Sequence, residues 1–388
     1  MASPTEANAA PAEPREPSNQ PSSPTVSWFE LFYDLVVVAA VNITNDKYLE
    51  HPSGSTAILG MLGLTALCWV WFVTTLGNNV YPELSTTRRV LMLVQMVAFM
   101  AAALGVDFAG EADSARGLLM YGVALAVAAT LILLATRGST KAPLGRLSIL
   151  TAVGAVICIV AGLVAPPVLW PYLVLALVLG IAPLLAGGRQ QSGQGFVLRA
   201  DHMRERLGLF VLIILGDGFL LLVQSLAQHG SIPNLGVFAM TFAISFSLWW
   251  IYFGSTFSQR DTTARPHWRL TLLAHLTLVF GMIGTLDCLV LFTVRQQDRL
   301  GEQNLVYFAV SVGVVLLSFA VIGYTVRDGW RPPSTVQALS GLALPALCLA
   351  LTPRMEVPIY GAMTVTGAVV LGNAVFAAWW DRRSARIT

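Results

Sequence analysis

Trp28-Phe29-Glu30-Leu31-Phe32-Tyr33-Asp34 runs without a break into the apolar Leu35–Val41, and this stretch decides how the chain is read. Two carboxylates lie four residues apart at the start of a segment with the character of a membrane span. On a helix, residues four apart stack on one face. Asn42 and Asn45 fall on the same flank, so the helix has one polar side among Leu, Val and Ala. An ionisable group at mid-span costs roughly 2.5–3.5 kcal/mol to insert. Such groups are retained facing a bundle interior or an aqueous cavity. Glu30 also suits a helix cap at the membrane interface; Asp34, about 6 Å deeper at 1.5 Å per residue, does not.

Composition agrees. Of 388 residues 55% are hydrophobic and 11% charged, against about a quarter charged in soluble domains. The expected fold is all-α, a polytopic membrane bundle of about twelve helices. A net charge of +2 with no long basic run argues against nucleic acid as a partner. The expected partners are the lipid bilayer and a small solute or ion. The four cysteines sit singly in apolar spans without metal spacing, which suits small buried hydrophobes. With no phosphate loop, His-Glu-x-x-His helix or nucleophile elbow, neither a cofactor nor a metal is expected.

Spans are expected over 28–45, 55–76, 88–106, 116–136, 147–164, 168–187, 205–227, 235–257, 268–293, 303–326, 336–352 and 358–380. The fifth and eleventh are short, Pro345 interrupts the latter, and both are candidates for re-entrant segments. Residues 1–27, rich in Pro, Ser and Ala, read as a disordered tail. The remaining units are a first half 28–187, a cytoplasmic linker 188–204, a second half 205–380 and a cytoplasmic tail 381–388. With the N-terminus inside, 18 of the 23 Lys and Arg fall on the cytoplasmic side. A shift by one helix would destroy that bias, so both termini are expected in the cytoplasm.

An internal repeat is also expected. Trp69 and Trp249, Arg89 and Arg269, Gln95 and His275, and Asp107 and Asp287 are each 180 apart; Asp34 and Asp217 are 183 apart. Six helices return a chain to its starting side, so the halves should be parallel. On the seventh helix Arg206, Gln224 and Gln228 fall within about 20° of Asp217 at 100° per residue. The expected site is therefore Asp34, Asp217, Glu30, Asn42 and Gln224 between helices one and seven, with His275 as a relay or gating group. His202, Glu205 and Arg206 would join Glu30 in a cytoplasmic vestibule. Asp107 and Asp287 read as interface anchors, and Trp69, Trp71, Trp249 and Trp250 as packing or belt residues.

Trp28-Phe29-Glu30-Leu31-Phe32-Tyr33-Asp34-Leu35-Val36 and His202-x-x-Glu205-Arg206-Leu207-Gly208-Leu209-Phe210, followed by an intramembrane Gly-acid pair, resemble the bacterial low-temperature-requirement protein A family over residues 28–380. The chain departs at Gly216-Asp217-Gly218, where the family pattern usually has Gly-Glu-Ser. The resemblance implies a multipass membrane protein linked by name to growth in the cold. The functional expectation is a secondary transporter or ion-coupled carrier. The alternative is a non-transporting sensor, lipid-handling or assembly factor. A remote one is an intramembrane aspartyl protease, whose signatures Tyr33-Asp34, Gly216-Asp217 and Pro345-Ala346-Leu347 resemble. There, however, the catalytic helices are adjacent, whereas here five intervene. A major-facilitator relative would share a six-plus-six layout, but Gly77–Arg89 lacks its loop motif.

Overall fold

A computed structural model describes residues 26–50, 54–82, 85–105, 112–136, 144–185, 199–229, 235–256, 268–295, 302–327, 329–352 and 358–384. The described residues form twelve helices: α1 Trp28–Glu50, α2 Gly54–Val80, α3 Thr86–Gly105, α4 Ala112–Thr136, α5 Gly145–Val164, α6 Trp170–Leu185, α7 Ala200–His229, α8 Leu235–Trp249, α9 Trp268–Arg295, α10 Glu302–Arg327, α11 Pro332–Leu351 and α12 Ile359–Ser384. A π-helical stretch, Trp250–Thr256, continues α8. Ten helices are long and apolar enough to cross a membrane. The chain is an all-α multipass membrane protein.

The two helices outside the ten differ in kind. α1 is 23 residues long but carries Glu30 and Asp34 in its first two turns. α6 is apolar but has only 16 residues, with Pro183 near its end. The shortfall expected at the fifth and eleventh helices therefore falls on the sixth; α5 and α11 each have 20 residues. Pro345 lies inside α11 without ending it. A neighbouring backbone comes close there: a Cβ built on Gly313 of α10 would stand 2.6 Å from the Gly341 carbonyl oxygen and 3.1 Å from Pro345 Cγ. Small residues let membrane helices meet backbone to backbone, which substitutes for the hydrophobic drive that lipid removes.

Within 28–185, α1 packs on α2 and α3, α3 on α4, α4 on α5, and α5 on α6. Within 200–384, α7 packs on α9, α9 on α10, α10 on α11, α11 on α12, and α12 on α8. Helices α1 and α2 meet α7 and α9 between these groups. Burial is uneven. In the span of α9, 94% of residues are buried, against 50% in α3; in α2 the share is 72%, against 44% in α8. α2 and α9 thus form the centre, although neither is the counterpart of the other under the 180-residue offset.

Candidate functional site

α1 begins with a capping box. Ser27 Oγ accepts from the Glu30 backbone N–H at 3.2 Å, and the Ser27 backbone N–H donates to Glu30 Oε2 at 3.1 Å. The Ser-x-x-Glu spacing satisfies two amides at a helix start that would otherwise be orphaned. The interface-cap role weighed for Glu30 is therefore real, but it is only part of what the carboxylate does.

The other part is a buried ionic cluster between α1 and α7. Arg206 is fully buried. Its Nη1 donates to Glu30 Oε1 at 3.1 Å and its Nη2 to Asp34 Oδ1 at 2.5 Å. Carboxylates one turn apart on α1 offer the fork spacing that a planar guanidinium takes up. Trp71 of α2 donates its indole N–H to the same Asp34 Oδ1 at 2.7 Å and stacks on Phe210 of α7, ring centroids 3.9 Å apart. Asp34 Oδ2 is buried with no hydrogen-bond partner.

His202, one turn before Arg206, extends the cluster to α2. Asn79 is held by the Arg199 backbone: its Nδ2 donates to the Arg199 carbonyl and its Oδ1 accepts the Arg199 N–H, both at 2.9 Å. That orientation turns the amide nitrogen to His202 Nδ1 at 3.2 Å. Nδ1 is then the acceptor, and Nε2 carries the hydrogen it donates to Glu30 Oε2 at 3.3 Å. The Asn79 amide donor thus suits the tautomer with its hydrogen on Nε2. Beside it, Asn78 Oδ1 accepts from Arg88 Nη2 at 3.0 Å, and Arg88 Nη1 caps the Tyr81 carbonyl at 2.6 Å.

Deeper in the membrane, Asn42 Nδ2 donates to Asp217 Oδ1 at 2.6 Å. α1 and α7 are therefore joined at two levels in the same order, Glu30 with His202 and Asn42 with Asp217, and run parallel. Asp34 and Asp217 do not meet. Asn42 lies eight residues beyond Asp34, about 12 Å along the helix, and each acid has its own partners. The expectation of one pocket holding both carboxylates is corrected to two separate polar levels. Axial spacing made the difference: Asp217 lies eleven residues beyond Arg206 on α7, about 16 Å along the helix, so Arg206 meets Glu30 and Asp34 while Asp217 meets Asn42. With the aspartates apart, the shared proton of an aspartyl-protease dyad has no counterpart here.

The remaining expected residues scatter. His202 and Arg206 are buried rather than lining an open vestibule, Glu205 is half-buried beside them, and Gln224 is exposed on the outside of α7. His275 is buried in α9, bonds the Thr271 carbonyl at 2.7 Å through Nδ1, and stands edge-on to Tyr252 at 6.0 Å. Asp287, read as an interface anchor, is 2% exposed. Asp107 and the side chains of Asn45 and Gln228 lie outside the described residues. Trp69 and Trp71 are buried, whereas Trp249 and Trp250 are partly exposed. The cysteines are free, three of them buried.

Sequence reasoning missed Trp71, Asn79 and the Tyr33–Gln95 pair. Tyr33 donates to Gln95 Oε1 at 3.0 Å, and Gln95 Nε2 bonds Thr74 Oγ1 and the Ala124 carbonyl, each at 3.0 Å. The signal was there for Gln95 and Asn79, polar side chains at the middle and end of apolar spans. Nothing in a pattern of apolar residues marks which of several tryptophans faces a carboxylate.

The chain is similar to the uncharacterized protein RA0937 of Rhizobium meliloti (strain 1021), 25% identical over 386 residues, covering 91% of this chain and 88% of that protein. The family description "Bacterial low temperature requirement A protein (LtrA)" matches residues 25–373, which include every residue of the α1–α7 cluster. The chain belongs to the bacterial low temperature requirement A (LtrA) family.

Proposed function

We propose that this protein is a secondary carrier of the bacterial inner membrane, coupled to a proton or a monovalent cation at the Glu30–Asp34–Arg206–His202 cluster. One observation carries the reading, and it is a charge count. Two buried carboxylates face one guanidinium, and His202 Nε2 lies 3.3 Å from Glu30 Oε2. An uncompensated charge in a dry interior is costly. One added positive charge balances the cluster, and Asp34 Oδ2 is a buried acceptor with no partner to receive it. Intramembrane acids that exchange a proton or cation against a buried arginine give a carrier two electrostatic states. Asn42 and Asp217 would form a second polar level on the same helix pair. No enzymatic step is assigned to these residues.

The carrier layout we propose is six helices plus six, with both termini cytoplasmic. Support comes from the common packing order, since α3–α4–α5–α6 and α9–α10–α11–α12 stack in the same succession and α1–α3 matches α7–α9. The parallel course of α1 and α7 fits an even number of crossings between them. The uneven burial of α2 and α8 means that any such symmetry is distorted at the centre.

Proteoliposome flux tests the reading. Purified protein should carry proton, sodium or potassium movement above that of empty vesicles, and Asp34→Asn should abolish it. Wild-type vesicles indistinguishable from empty ones for all three ions would end the proposal. A second reading, a non-transporting membrane scaffold, is favoured by the density of partners around Arg206. It differs in stability: a purely structural Asp34 loses stability on neutralisation, whereas a coupling acid whose charge is unbalanced does not.

A further inference from the structure

Away from the α1–α7 cluster, a cavity of about 120 Å³ opens between α2, α3, α4 and α6. It lies toward the ends at which α2, α4 and α6 begin. Leu62, Leu67, Leu118 and Leu173 supply much of its wall, with Trp170, more than half exposed, among the lining residues. Tyr121 also lines it; that side chain is 4% exposed, and its hydroxyl is buried with no hydrogen-bond partner. Buried polar groups are almost always satisfied, and an exception calls for an explanation such as a bound molecule. Water is a poor candidate, since it needs two to four polar partners and a wall this apolar stays dry. The size suits an organic group, because engineered apolar cavities of about 150 Å³ hold benzene.

We propose that this cavity binds a small apolar molecule, ring-sized and carrying one carbonyl or hydroxyl oxygen, which accepts the hydrogen bond of the Tyr121 hydroxyl. The apolar body fills the space among the leucines, and the single oxygen pairs with the Tyr121 hydroxyl, which an all-hydrocarbon occupant would leave unsatisfied. Exposure of Trp170 at the wall puts the site in reach of molecules dissolved in the bilayer. Ligand pockets of this kind, apolar with a few placed polar groups, fix orientation by the polar contact and affinity by the apolar one.

Phenol and benzene are the probes. The thermal midpoint of the purified full chain is followed against concentration of each, since a ligand bound only by the folded state raises it. Comparing variants at equal probe concentration cancels partition into detergent. Phenol and benzene should both stabilise the wild type. In Tyr121→Phe the advantage of phenol should fall about three- to tenfold, the value of one net hydrogen bond, while benzene is unaffected. Ala66→Leu and Ala102→Leu, which fill the cavity from two helices, should each remove both shifts. Three results would overturn the proposal: no shift in the wild type, shifts that survive in both filled variants, or an unchanged phenol advantage in Tyr121→Phe. If one filled variant fails to fold, the other and Tyr121→Phe still decide.

Discussion

At the scale of single residues, Arg206 is where the largest energies gather. It is fully buried and bonded to two carboxylates of another helix. Removing one partner of such an assembly strands the rest. Arg206→Met should therefore cost about 3–5 kcal/mol, read as a lowered midpoint in denaturant titration of the reconstituted protein. Trp71→Phe keeps the stack on Phe210 but deletes the donor to Asp34. A hydrogen bond to a charged group contributes about 1.5–3 kcal/mol, so a loss in that range is expected by the same titration. A loss near zero would place Asp34 in its uncharged form, with little need of the indole.

At the scale of helices, two kinds of contact hold the bundle: polar bridges and close approaches of backbone. The Asn42–Asp217 bridge joins α1 to α7 one level below the ionic cluster. Membrane hydrogen bonds of this sort average about 0.6 kcal/mol and reach about 1.7 in mutant cycles. Coupling between Asn42→Leu and Asp217→Leu should fall in that window, since the unfolded chain in lipid finds other partners. The α10–α11 crossing depends instead on space. Gly313→Ala would drive its Cβ against the Gly341 carbonyl, and overpacking of this kind costs about 1–3 kcal/mol. The loss should appear as earlier proteolysis or unfolding of α11, with α1–α7 coupling intact.

Spans were readable because lipid imposes a simple rule, that every backbone amide be satisfied inside the segment. Expected and observed helices begin and end within a few residues of each other over most of the chain, and the largest shift of a helix start lies at α7, five residues earlier, at Ala200. That extra turn is where His202 sits. A polar Asp201-His202-Met203-Arg204 run looks like loop to a hydropathy count. It folds as helix because Asn79 holds the Arg199 backbone and Glu30 holds His202.

At the scale of the whole molecule, charge decides orientation. With the twelve crossings and cytoplasmic termini proposed above, 18 of the 23 basic residues would fall on one side, so tags at either end should be accessible only from the cytoplasm, which reporter fusions at residues 1 and 388 would measure. A fusion reporting the opposite side at one end would require an odd number of spans, and with it another account of α6. Length, composition and spacing were enough to establish the helical membrane class and to pick out the candidate acids of α1 and α7, because these depend on the solvent each segment meets and on turns of a single helix. Which acid meets which base was decided only by tertiary packing. Arg206 could have answered a carboxylate on any helix packed against α7, and the choice of Glu30 and Asp34 follows from how α1, α2 and α7 dock, a relation between distant segments that no local pattern encodes.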